Sequence, residues 1–248
     1  MVQVTTPVGQ LAGDTTLFAR SLHAWHMDIA VLGGTGDIGE GLVLRWAADT
    51  DHDIHVGSRD PEKARSRVAD YEEILSDHGH EAKLTGFENG MAAERADVVV
   101  LAVPPYHVSD VVETVGGRLQ SDAILVSPAV GMKSDEDGLH YHRPGAGSVT
   151  AVAADAAPAE IPVVGAFHNL SANKLSDLDS TLEFDTLVVG DDADAKGTVT
   201  MLAESIDGLT VYDAGPLANA AEVESLTPLL INLARYNGEL SDVGVTFR

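Results

Sequence analysis

From Met27 onward, short apolar runs alternate with longer stretches in which apolar and polar residues mix at helical spacing. "IAVLGG" is too apolar for a strand with one wet face, which predicts a strand buried on both sides in a parallel sheet. "EGLVLRWAADT" sets Leu42, Leu44, Trp46 and Ala47 among polar residues and predicts a helix. "DIHVGS" is a second strand, and "DPEKARSRVADYEEILSDHG" a second helix, with Pro61 near its first turn. "ADVVVLAVP" (96–104) is a third buried strand, "YHVSDVVETVGGRL" a helix and "AILVSPA" (123–129) a fourth strand. "PVVGAFHNL" (162–170) and "TLVVGDD" (186–192) are two further strand candidates. "ADAKGTVTMLAESI" predicts a helix, and "NAAEVESLTPLLINLARYNG" a long, largely apolar one interrupted by Pro228. "DGLHYHRPGAGS" (137–148) is the best loop candidate. The strand–helix–strand rhythm implies an α/β fold with a parallel sheet wound on both faces. Residues 1–26 are expected to be an N-terminal extension, open to disorder, 27–170 the main domain and 171–248 a smaller C-terminal domain. An apolar helix so late in the chain needs a partner, from that small domain or from a second subunit.

Composition narrows the classes. The 248 residues are 44% hydrophobic, enough to bury a sizeable core. The formal charge is −24, from 39 acidic against 15 basic residues, of which only five are Lys. The acidity is scattered along the chain, which reads as a solvated surface adapted to high salt. A surface with no basic patch repels nucleic acid and anionic lipid. Cysteine is absent, which removes disulfides, thiolate nucleophiles and Cys-based metal sites. No apolar run is long enough to span a membrane, and the N-terminal segment lacks the basic and apolar regions of a secretion signal. A cytoplasmic protein is expected.

Gly34-Thr35-Gly36-Asp37-Ile38-Gly39 fits G-x-G-x-x-G and stands between a buried strand and a helix. In that setting Gly34 permits the tight turn, Gly36 lets the backbone approach a pyrophosphate, and Gly39 allows close helix–strand packing. The helix N-terminus offers free N–H groups and a positive dipole end to phosphates. This predicts a dinucleotide-binding Rossmann domain over 27–170. An NAD enzyme usually carries a carboxylate at the end of the second strand, which would repel a 2′-phosphate. Here Ser58 and Arg59 stand there instead, a hydroxyl and a guanidinium fork that suit a phosphate dianion. Lys63 adds a cation from the first helical turn, and Asp60 is expected to cap the helix that begins at Pro61. The expected cofactor is NADP(H).

Together the glycine loop, "VGSRDPEKA" and "DAGPLANAAEVESLTPLLINLARYNG" resemble one family, the F420-dependent NADP oxidoreductases. The resemblance runs from Met27 nearly to the last residue, and an acidic, lysine-poor member suits a haloarchaeon. It implies reversible hydride transfer between C4 of the nicotinamide and C5 of the deazaflavin of coenzyme F420. Such a reaction needs no metal, thiol or covalent intermediate, because the cofactors carry the chemistry. By the resemblance, Thr35, Gly36, Asp37 and Ile38 contact the NADP phosphates, and Ser58, Arg59 and Lys63 the 2′-phosphate. Pro105 and Ser109 stand where the family often has Trp and an aliphatic residue, with Tyr106 able to take over there. Ala172 lies where the family's chain passes the nicotinamide. His168 matches a histidine beside the hydride path and Leu170 its aliphatic neighbour, within "HNLSA" in place of the common "HTIPA". Val243 falls in a segment that contacts the deazaflavin. A homodimer is expected.

Other residues admit a plainer reading. His168 bonds a ring or phosphate group, or is a satisfied histidine at a strand end; a positioning role is favoured over acid–base catalysis. His107 is a candidate for lining the site and Asn219 a candidate F420 neighbour. His140 and His142 have no carboxylate cluster to complete a metal site. Asp191 and Asp192 read as a strand end, and Asp213, Gly215 and Pro216 as a turn. Glu224 and Asn232 either face other helices or close a dimer; the sequence does not separate the two. An NADP-dependent imine or β-hydroxyacid reductase shares the fold, but Lys174 in "SANKL" lacks that class's Lys-x-x-x-Asn pattern. A redox sensor that binds NADP(H) without turnover would not explain the C-terminal match.

Overall fold

The computed structural model describes residues 26–248. The expected extension over 1–26 therefore lies, but for His26, outside the described residues. Strands β1 (Asp28–Leu32), β2 (Asp53–Ser58), β3 (Lys83–Glu88), β4 (Val98–Leu101) and β5 (Ile124–Ser127) come first. A hairpin of β6 (Met132–Asp135) and β7 (Gly138–Tyr141) follows, then β8 (Val163–Gly165), β9 (Phe184–Val188) and β10 (Leu209–Asp213). The helices are α1 (Asp37–Asp49), α2 (Pro61–Asp77), α3 (Asn89–Ala93), α4 (Val108–Val115) and α5 (Val149–Ala156). They continue with α6 (Ala172–Ser176), α7 (Ala193–Glu204), α8 (Ala220–Glu224) and α9 (Leu226–Tyr236).

Six strands form one parallel sheet in the order β3-β2-β1-β4-β5-β8. Alternate residues of its central strands feed two separate cores. Ile29, Val31, Val98 and Val100 pack with Trp46 and Tyr71 on one face. Ala30, Leu32, Val99 and Leu101 pack with Val108 and Val112 on the other. Both faces are thus covered, which is why these strands read as unbroken apolar runs. The strand order reverses between β1 and β4, and the crevice at their carboxyl ends is where such sheets bind ligands.

Besides passing over the helices α3, α5 and α6, the sequence reading differs from the structure in four places. β3 lies at the sheet edge and alternates exposed and buried residues over its first half, so its weak apolar signal is missed. The stretch 137–148 is not wholly loop: β7 pairs antiparallel with β6, and Gly138 sits at φ +135° beside the turn. Asn232 braces the outer edge of β7 from α9, accepting from Leu139 N at 3.0 Å and donating to Leu139 O at 2.7 Å as a neighbouring strand would. β10 pairs parallel with β9 outside the main sheet, and a single bridge, Gly165 to Val189, links the two sheets. Finally, the C-terminal helix breaks at Ser225 rather than at Pro228, which falls in the first turn of α9 where its missing N–H costs nothing.

Buried Arg45 ties the later chain to α1. Its Nε donates to Leu175 O, and its Nη2 to Lys174 O and Ser180 O, each at 2.9 Å. Trp46 donates to Leu202 O at 3.0 Å and meets the Phe167 ring edge-on at 5.7 Å.

Candidate active site

At the crevice the chain leaves β1 through Gly33, whose φ is +79°. A side chain on Gly33 would meet Ala102 O at 2.4 Å, so the tight turn belongs to Gly33 and not to Gly34 as expected. A Cβ on Gly34 would meet Val31 O at 2.8 Å, and one on Gly39 would meet Gly33 O and Gly34 Cα at 2.7 Å. Those two glycines therefore close the loop onto its own helix. Gly36 differs: the nearest atom to a Cβ there is Gly33 O at 3.5 Å, so its outer side is open. As N-cap of α1 it offers no side chain to the first-turn N–H groups. Tyr71 fixes the loop from behind by donating to Gly34 O at 2.7 Å, and burial pushes its hydroxyl up to about 12.

A cavity of about 550 Å³ opens between this loop and the ends of β2, β3 and β4. Thr35, Gly36, Ser58, Arg59 and Lys63 all line it, as does His107. Ser58 is buried at the end of β2, and its Oγ accepts from Asp60 N at 3.2 Å. Asp60 spends its carboxylate capping α2, accepting from Glu62 N at 3.0 Å and Lys63 N at 3.4 Å. Among the described residues neither Arg59 nor Lys63 has a carboxylate within salt-bridge distance, although the chain is strongly acidic. Two free cations and a hydroxyl around one space suit a phosphate dianion.

A second cavity, of about 640 Å³, shares Gly36, Ala102, Val103 and Pro104 with the first. Asp37, Ile38, Pro105, His168, Leu170, Ala172 and Val243 line it. Three constraints shape it. Phe167, next to the end of β8, is buried with φ +66°, a left-handed conformation rare for a bulky residue. Asn169 pins the same turn to β9, donating to Asp185 O at 2.7 Å and accepting from Thr186 Oγ1 at 3.1 Å. The C-terminal tail crosses the opening: Asp242 accepts from Ser171 Oγ at 2.7 Å and Asn173 Nδ2 at 3.1 Å, and Val245 O accepts from Asp185 N at 2.8 Å. The far wall is α9 and the hairpin, through Thr227, Leu230, Ile231 and Met132.

His168 is the one imidazole among the residues lining the second cavity. It is fully enclosed, and burial pushes its pKa down to about 3, so the ring is neutral at any ordinary pH. Its Nε2 lies 3.4 Å from Thr150 Oγ1, and its Nδ1 has no hydrogen-bond partner among the described residues. Glu224, equally buried, resolves the choice left by the sequence: it faces inward, onto the start of α5. Asn232 likewise bonds within the chain.

Ser109, Asn219 and Tyr106 are not brought to the site, Tyr106 standing exposed to solvent outside both cavities. Ser109 lines neither cavity and donates to Glu113 one turn along α4 at 3.2 Å. Asn219 turns back to donate to Ala214 O at 2.7 Å, in the turn that follows β10. Lys174, the base of the rival reading, also lines neither cavity, and its Nζ donates to Ser180 Oγ at 3.2 Å. Asp191 accepts from Leu217 N and Asp192 caps α7, both structural uses. His140 pairs with Asp135 at 3.0 Å, and among the described residues no group of three or more His, Asp or Glu gathers as metal ligands would. Sequence reasoning missed Asn89, which lines the first cavity, and Phe167 and Thr227 at the second. Asn89 follows the edge strand that was itself missed; nothing in the sequence marks Phe167 as left-handed.

Known proteins resemble this chain in sequence and shape. The family described as "NADP oxidoreductase coenzyme F420-dependent" matches residues 28–131. The F420-dependent NADP reductase of Methanocaldococcus jannaschii is 36% identical over 226 residues, covering 89% of this chain and 98% of its own. That of Methanothermobacter marburgensis is 38% identical over 213 residues, covering 84% and 92%. A solved structure from Arthrobacter sp. FB24 is 25% identical with a TM-score of 0.74, covering 90% of this chain and 99% of that one. A pyrroline-5-carboxylate reductase from Coxiella burnetii, 19% identical with a TM-score of 0.52, shares the fold alone.

Proposed function

The chain belongs to the F420-dependent NADP reductase family, and on that premise we propose that it catalyses reversible hydride transfer between NADPH and coenzyme F420 across its two joined cavities. The observation that carries the assignment to this site is the junction at Gly36 and Ala102–Pro104, where one cavity with free cations meets another with mostly apolar walls. When bound, NADPH supplies a hydride from C4 of its nicotinamide and the deazaflavin accepts it at C5.

The protein's own part is to bind, orient and keep water out. Ser58, Arg59 and Lys63 would hold the 2′-phosphate; Thr35, Gly36, Asp37 and Ile38 would cradle the pyrophosphate at the start of α1. Pro105, Leu170, Ala172 and Val243 would flank the stacked rings, with no group required to exchange a proton with the transferred hydrogen. Deuterium placed at C4 of NADPH should therefore appear at C5 of reduced F420 without dilution by solvent hydrogen. Loss of the label to water would rule out direct transfer.

The reading extends to the whole molecule. Residues 171–248 would form the smaller domain, with the F420 wall on α9 and the tail. The chain would act as a homodimer, supported by Leu229, Leu233 and Tyr236, which α9 leaves 54%, 39% and 61% exposed. The charge of −24 supports a cytoplasm rich in salt, as in a haloarchaeon. No helix among the described residues is long and apolar enough to cross a membrane.

A further inference from the structure

Behind the second cavity lies a buried carboxylate that the hydride-transfer reading does not use. Glu224, the last residue of α8, is wholly enclosed. Its Oε2 accepts from Tyr141 Oη at 2.9 Å and Val149 N at 3.0 Å. Its Oε1 accepts from Thr150 N and from Thr150 Oγ1, both at 2.9 Å. Four donors from β7 and the first turn of α5 thus converge on one side chain. Ser148 caps α5 separately by accepting from Ala151 N at 2.9 Å, Glu224 takes two N–H groups that Ser148 leaves, and the Thr150 hydroxyl is the contact that leads on toward His168.

The proton count along this chain of contacts is determinate. Thr150 has a single hydroxyl proton, and its close partner is the carboxylate, which can only accept. The hydroxyl oxygen therefore meets His168 Nε2 as an acceptor, and Nε2 must carry the proton. A neutral imidazole has only one N–H, so Nδ1 is left as a bare acceptor, the atom found without a partner. The contact is also held from the strand side. A Cβ on Gly165 would meet His168 Cε1 at 2.9 Å and Thr150 Oγ1 at 3.0 Å, so the two side chains are packed into a space that only glycine leaves open.

We propose that Glu224 is a positioning residue for hydride transfer: acting through Thr150, it holds His168 in the Nε2–H tautomer and in one orientation on the wall of the second cavity. The bare Nδ1 is itself sealed from solvent, so the contact acts on the cavity by fixing where the imidazole stands, not by offering a lone pair there. Glu224 itself does not line the cavity, since Thr150 and His168 stand between. Thr227 supports the arrangement by donating to the His168 carbonyl at 2.6 Å. The role rests on the hydride-transfer reading, but the tautomer does not.

The test is nitrogen-15 NMR of histidine-labelled protein without substrates, paired with steady-state kinetics. The wild type should show His168 protonated at Nε2. Thr150→Val keeps the shape and leaves Glu224 three donors; it should release the tautomer and lower kcat about tenfold with little change in either KM. Glu224→Gln should act in the same direction, and Thr150→Ser should restore both readouts. A wild-type ring protonated at Nδ1 would overturn the inference. So would a folded Thr150→Val variant with an unchanged tautomer, or one with a changed tautomer and wild-type kcat. Absence of F420 reduction by the wild type would instead sink the function reading, with the tautomer result still in hand.

Discussion

At the scale of residues, the site sets two free cations, Arg59 and Lys63, at one cavity and an enclosed neutral imidazole, His168, at the other. Ser58-Arg59 was legible because it departs from a pattern, a carboxylate replaced by a hydroxyl and a cation at a strand end. His168 was visible as a polar residue after an apolar strand, but its neutrality was not, since that follows from complete enclosure. The enclosure has a consequence for stability. The folded pKa is about 3, against 6.5 for the free side chain, so unfolding takes up a proton in between. The stability tied to His168 is complete above pH 6.5 and declines as pH falls toward 3, by up to about 1.4 kcal/mol per unit. Urea midpoints at pH 7 and pH 5 should therefore differ less in His168→Asn than in the wild type. Equal differences would contradict a buried neutral imidazole.

At the scale of elements, sequence and structure agree where a signal is local. Pro61 and Asp60 marked the start of α2, and the cap is formed as expected. The hairpin was not legible because β6 is exposed at all four positions and carries no apolar alternation, and its brace, Asn232, lies far along the chain; β10 is also mostly exposed and needs β9 across a helix. Among the glycines, the tight turn falls to Gly33 in place of Gly34, while Gly39 makes the close packing expected of it. Gly39→Ala would press a methyl onto Gly33 O, and the variant should lose about 1–3 kcal/mol of stability. Gly36→Ala has room and an ordinary φ of −104°, so its melting temperature should stay near the wild type's. NADPH affinity of Gly36→Ala should nonetheless fall more than tenfold, by about 1.4 kcal/mol or more, because the methyl projects where a phosphate would approach. Calorimetric titration beside thermal unfolding separates the two effects, and unchanged affinity in Gly36→Ala would move the pyrophosphate elsewhere.

At the scale of the molecule, the doubly wound sheet was readable because both its faces are buried and every central strand is an apolar run. Assembly was not, since a sequence shows that α9 is apolar without showing which side the fold leaves uncovered. Leu229, Leu233 and Tyr236 are that side, and Leu229→Glu with Leu233→Glu should convert a dimer seen by light scattering into a monomer. A wild-type monomer at micromolar concentration would remove the proposal. Stability should rise with salt, which screens the repulsion among scattered carboxylates. The central claim is narrower: this chain passes hydride between NADPH and F420, choosing the dinucleotide that carries a 2′-phosphate through Arg59. The measurement that bears on it most directly is the bleaching of oxidised F420 in molar salt with NADPH or NADH, using wild type and Arg59→Ala. The account predicts fast bleaching with NADPH, little with NADH, and an Arg59→Ala variant whose KM for NADPH rises by about 1.5–3 kcal/mol with kcat nearly kept. No bleaching by a folded protein that binds NADPH, or equal rates with the two nucleotides, would contradict it.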